Sequence, residues 1–216
     1  MNIRPYNQKQ QFLFPPRLQD FVPQDHESIV INDIVEKFSL EDFYRRIPEV
    51  GNPSYHPKLM VKIIFYALSN GLTSSREIAK RCCTDTAYMF LAAMQQPNFR
   101  TISKFRLKYA DEIANLFVQI ILLCQQLGLI SMEHISIDGT KIKANASGSQ
   151  LYDMERAENE RKRLKEAIST KLEEMNAQDI ADDEIYGPEN SGYQLPDDIK
   201  DAEQRLKKLD KLIGNQ

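Results

Sequence analysis

The hydropathy pattern changes period at residue 135, and that change constrains the fold more than any other feature of the chain. Up to about Leu127 the apolar residues recur every three or four positions, the spacing of helices with one buried side. From Ile135 to Ile142, isoleucines alternate with polar residues on both sides of Asp138-Gly139. A period of two belongs to strands with one buried face. Asp-Gly is a strong two-residue hairpin turn. Alternatively, Asp138 is a metal-binding carboxylate where the first strand of a sheet ends, with Lys141 and Lys143 just beyond it. The residues alone leave both readings open.

The helical part divides at its turn signals. Residues 1–27, with Pro5, Pro15, Pro16 and Pro23, read as an extended arm. Ile31, Ile34, Val35 and Phe38 then fall at helical spacing, and Ser39 is expected to cap a short helix carrying Leu40 and Phe43. Pro57 suits the first turn of a helix and Gly71 the position past its end. Between them lies a segment apolar on nearly every side, expected to be the central core helix. Ser74 and Glu77 form a capping box, and Thr84 is expected to cap the next helix. This corner, with Arg76, Lys80 and Arg81 on its first helix, has the outline of a helix-turn-helix. Thr101 is expected to cap one long helix reaching Leu127.

Beyond the period-two segment, residues 151–176 read as a charged helix with Leu164, Ile168, Leu172 and Met175 on one stripe. Asp179, Asp182, Asp183 and Glu184 are expected in a solvated loop. A last helix places Ile199, Ala202, Leu206, Leu209 and Ile213 on a second stripe. Two narrow apolar stripes predict an antiparallel helical hairpin or coiled coil, through which a second copy of the chain would pair.

Charge is unevenly spread. The net charge is −3, yet residues 1–150 hold 17 Lys and Arg against 14 Asp and Glu, and residues 151–216 hold 11 against 17. From Lys58 to Lys108 nine basic residues face only Glu77 and Asp85, and no carboxylate occurs between Ala87 and Ala110. A basic middle of this kind points to nucleic acid. Arg100, Thr101, Lys104, Arg106 and Lys108 cluster at a helix start, where free N–H groups and cations together suit phosphate.

Three cysteines, two of them adjacent, and three scattered histidines lack disulfide or metal-ligand spacing. No apolar run is long enough to cross a bilayer and the N-terminus carries no secretory pattern, so a cytoplasmic protein without membrane contact is expected.

Five segments, taken in order, resemble the N-terminal half of insertion-sequence transposases. They are Tyr55-His56-Pro57-Lys58-Leu59-Met60, Ser69-Asn70-Gly71-Leu72-Thr73-Ser74-Ser75-Arg76-Glu77-Ile78, Phe99-Arg100-Thr101-Ile102-Ser103-Lys104-Phe105-Arg106, Gly128-Leu129-Ile130, and Ile137-Asp138-Gly139-Thr140-Lys141-Ile142-Lys143-Ala144-Asn145-Ala146. The group it looks most similar to is IS1182, within the broader IS5/IS4-like families.

The resemblance implies a mainly α chain in four parts: an N-terminal extended arm at 1–27, a helical DNA-binding domain at 28–130, the first strands of an RNase H-like catalytic domain at 131–150, and a charged helical insertion at 151–216. The β-hairpin would open an RNase H-like domain that is incomplete here. Asp138 would be the first carboxylate of a DDE site, which in the full-length family holds two Mg²⁺ ions that clamp the attacking and leaving oxygens of a phosphoryl displacement. This chain alone is not expected to bind them stably, and Lys141 and Lys143 would contact the DNA backbone beside the site. The expected partner is double-stranded DNA at the terminal inverted repeats. Because the second and third acidic residues are expected beyond Gln216, the chain is expected to bind DNA without cutting or joining it by itself. The alternatives are a DNA-binding regulator of the intact transposase and a helical dimerisation module.

Overall fold

In a computed structural model, residues 17–47, 53–126, 150–192 and 201–213 are described. They are mainly helical, and no strand occurs among them. Residues 1–16 of the arm expected at 1–27, the period-two segment, Asp138, Lys141 and Lys143 lie outside the described residues.

A 3-10 turn at Leu18–Phe21 leads into α1 (Glu27–Lys37) and the single-turn α2 (Glu41–Tyr44). Ser39 does not cap α2: Leu40 holds that position without a side-chain bond. The central helix α3 (Pro57–Ser69) begins where expected, with Pro57 in the first turn and the His56 ring accepting from the Lys58 N–H at 3.2 Å. It ends at Gly71, whose φ of +67° is the left-handed conformation that lets Leu72 N–H reach back to the Ala67 carbonyl at 2.8 Å. Val61, Ile63, Ile64 and Ala67 on α3 are fully buried, which makes it the core helix.

Ser74 caps α4 (Ser75–Thr84) by accepting from the Glu77 N–H. Asp85, rather than Thr84, caps α5 (Thr86–Leu91), accepting from the N–H groups of Ala87 and Tyr88. An aspartate with extended backbone satisfies two free donors at once, whereas the Thr84 hydroxyl is already bonded back to the Lys80 carbonyl.

The helix expected from Thr101 to Leu127 is two helices, α6 (Phe99–Lys108) and α7 (Ala110–Gln126). Asn98 caps α6. The break falls at Tyr109 because packing holds that residue in place. Its ring lies 4.7 Å from Phe105 and 5.2 Å from Phe43, and its hydroxyl donates to the Phe43 carbonyl.

The largest departure from expectation is α8 (Gln150–Tyr186), one helix of 37 residues. It absorbs the stretch around Asp179–Glu184 that was expected to be a solvated loop. Its stripe of Leu164, Ile168, Leu172 and Met175 is buried in the same core as α3 and packs beside α7, rather than against the last helix. The helix α9 (Ala202–Ile213) keeps Leu206 and Leu209 exposed. Among the described residues no helix is long and apolar enough to cross a membrane.

Candidate nucleic-acid interface

One side of α6 faces the segment that precedes α3. Thr101, Lys104 and Lys108 recur at spacings of three and four, so they share that side. With Ser54, Tyr55, Phe105 and Tyr109 they line a cleft of about 430 Å³. Lys104 is exposed and meets no carboxylate among the described residues. The Lys108 ammonium donates to the Arg46 carbonyl at 2.6 Å and sits 5.0 Å from the centre of the Tyr109 ring, so dipoles rather than an opposite charge hold it. Arg46 itself is paired with Glu112 at 2.5 Å. Among the described residues the cleft therefore offers two ammonium groups without a carboxylate partner, hydroxyl donors and aromatic walls, a combination suited to a phosphate backbone.

The other basic residues of this region have protein partners. Arg106 is 1% exposed. Its guanidinium donates to the Asp179 carboxylate at 2.8 Å and to the Ser75 hydroxyl at 3.2 Å. The same carboxylate accepts from the Ser75 N–H at 2.8 Å and from the Ser75 hydroxyl at 2.7 Å, so Asp179 closes the N-terminus of α4. Asp182 accepts from the Ser74 hydroxyl at 2.5 Å and from the Gln178 amide.

Further out, Arg76 donates to Asp183 at 2.5 Å and to the carbonyls of Gly187 and Asn190 at 2.9 Å. Arg100 donates to the Pro188 carbonyl and is paired with Glu189. Both guanidinium groups flank the ring of Phe99, at 4.3 Å for Arg76 and 5.8 Å for Arg100. A carboxylate at a helix N-terminus and a carboxylate against a guanidinium are the two positions in which such a surface would otherwise hold phosphate.

Lys80 and Arg81 lie on α4 beside Glu77, and Arg81 also reaches Asp85. The α5 helix carries no cation, so the corner lacks a basic second helix. On α3, Lys58 and Lys62 both bind Glu36, and those two hydrogen bonds hold its carboxyl down to about 2. The structure thus brings Thr101, Lys104 and Lys108 together, and turns Arg76, Arg100 and Arg106 toward the acidic end of α8.

Those acidic residues are the ones sequence reasoning missed. A signal was present: positions 179, 182 and 183 share one helical face, and the acidic balance of residues 151–216 nearly mirrors the basic excess between 58 and 108.

Burial pushes the Cys82 thiol up to about 12, which makes it a packing group rather than a nucleophile. No group of three or more His, Cys, Asp or Glu that could hold a metal ion occurs among the described residues. Asp138 lies outside the described residues, so they do not include the carboxylate that would hold Mg²⁺. No curated protein and no solved structure matches this chain. Residues 16–108, from the first 3-10 turn to the end of α6, match a family model described as a transposase domain (DUF772), and this relates that segment to transposases.

Proposed function

We propose that this chain is a DNA-recognition body of the transposase type, whose α6 cleft seats the phosphate backbone of duplex DNA. The observation that carries the reading is the pair Lys104 and Lys108, which meet no carboxylate among the described residues, in a polar, aromatic-walled cleft inside the matched segment. The terminal inverted repeats of an insertion element are the natural target of such a body. Asp138 keeps the role the resemblance gives it, the first Mg²⁺-binding carboxylate of a DDE site.

Binding through backbone phosphates is salt-dependent, because each neutralised phosphate releases condensed counterions. The test is binding of a labelled mixed-sequence duplex across a salt series, for the native chain and for Lys104→Gln/Lys108→Gln. The native chain should bind with a steep salt slope, and the double variant should bind at least several-fold more weakly, with a slope shallower by about 1.8. Equal binding by both proteins would overturn the assignment to this cleft. A second reading, a helical interaction module, is favoured by the exposed Leu206 and Leu209 on α9, and predicts feeble, salt-insensitive DNA binding.

A further inference from the structure

We infer that the outer end of α8 and the turn after it form an intramolecular cover that occupies a second phosphate-binding surface, made by Arg76 and Arg100, and so restrains DNA binding. This inference rests on the DNA-recognition reading and adds its regulation.

The contacts between α8 and the basic helices form two layers of different character. The inner layer, Asp179 with Arg106 and Ser75, is buried and ties three helices together. Removing it would disturb the fold. The outer layer is open on its acidic side: the Asp183 side chain is 46% accessible and that of Glu189 is 84% accessible, over an Arg76 that is 5% and an Arg100 that is 36% accessible. The Arg100–Glu189 pair, open to water on both sides, contributes little to stability, while the buried Arg76 guanidinium needs a new anionic partner when Asp183 leaves it.

The outer layer also lies where a nucleic acid would bind. Arg76 belongs to the first turns of α4 and Arg100 to the first turn of α6, and they meet over one Phe99 ring. Two guanidinium groups sharing a ring lie close enough to engage neighbouring phosphates of one strand. What they hold now is the carboxylate of Asp183 in the last turn of α8 and, from the short turn that follows it, the carboxylate of Glu189 and the carbonyls of Gly187, Pro188 and Asn190. One Arg76 nitrogen, Nη1, is buried with no hydrogen-bond partner, so the turn satisfies the guanidinium incompletely. A phosphate, with more acceptor oxygens and more charge than one carboxylate, competes well for such a group. Gly187 and Gly192 bracket the turn with φ of +83° and +72° and give it a backbone able to change course.

The experiment compares duplex binding by the native chain with binding by Asp183→Asn/Glu189→Gln, across salt. A control variant, Glu158→Gln/Glu173→Gln, removes the same charge from exposed positions of α8 that meet no cation among the described residues. Circular dichroism and thermal melting establish that all three are folded alike. Release of the cover should tighten binding by about 3- to 10-fold at 0.1 M salt and steepen the salt slope by about 1.8, one increment for each freed arginine, with no such change in the control. If the cover variant and the control bind equally, the cover is refuted. In that outcome, continued dependence of binding on Lys104 and Lys108 leaves the DNA-recognition reading standing. If no protein binds duplex at any salt, both fail together. Hydrogen exchange supplies a second measurement: residues 183–192 should lose protection when duplex is added, and unchanged protection contradicts the cover.

Discussion

At the scale of single residues, the fate of each cation is decided by what lies within a few ångströms of it. Lys58 and Lys62 converge on Glu36, and the hydrogen bonds from these ammonium groups hold its carboxyl near 2 instead of the ordinary 4.5. A carboxyl depressed in the folded state stabilises the protein above its unfolded value and loses that contribution as pH falls toward the folded value. The stabilisation from Glu36 is therefore present above about pH 4.5 and fades between there and about pH 2. Glu36 is nearly half exposed, so solvent screening limits the effect to about 1 kcal/mol. Urea unfolding of Glu36→Gln should show that loss at neutral pH and a flatter acid limb below pH 4.5. A variant whose stability follows the native profile through that window would contradict the assignment.

At the scale of elements, the helices that end on local chemistry were readable and those governed by distant contacts were not. Pro57, Gly71 and Ser74 act on their own backbone neighbourhood, so α3 begins and ends, and α4 begins, where those residues indicate; the Glu77 side chain, expected to complete a capping box, pairs instead with Lys80 and Arg81. The break at Tyr109 depends on Phe43, far away in sequence, and the local mark of it is slight: Arg106 and Lys108 in the last turn of α6 give way to Asp111 and Glu112 in the first turn of α7. The same holds for α8. Four acidic residues followed by Gly187-Pro188 resemble a solvated loop until Arg106 and Ser75 are known to face them. The candidate site was half legible for the same reason: the cations were visible, but not which of them α8 would neutralise. The inner pair carries the largest consequence here. Arg106→Met leaves Asp179 buried beside an apolar side chain and should cost about 3–5 kcal/mol. Denaturant unfolding followed by circular dichroism measures it, and a loss below about 1 kcal/mol would show that water reaches the carboxylate.

At the scale of the whole molecule, the opposed charges of the two halves of the chain meet inside one body. The basic region from 58 to 108 and the acidic end of α8 face each other, and the apolar stripe of α8 completes a core shared with α3 and α7. Under the proposed function, the surface left for a nucleic acid is the smaller remainder, the cleft of Lys104 and Lys108, with Arg76 and Arg100 held by the end of α8 and the turn after it. All of this depends on the acidic stretch being a docked helix rather than a solvated loop. Native-state hydrogen exchange of residues 176–182 decides the matter most directly, because those amides report on the inner layer alone. Exchange there should be nearly as slow as that of the α3 amides, since both segments belong to one core. Exchange as fast as that of an open loop would contradict it.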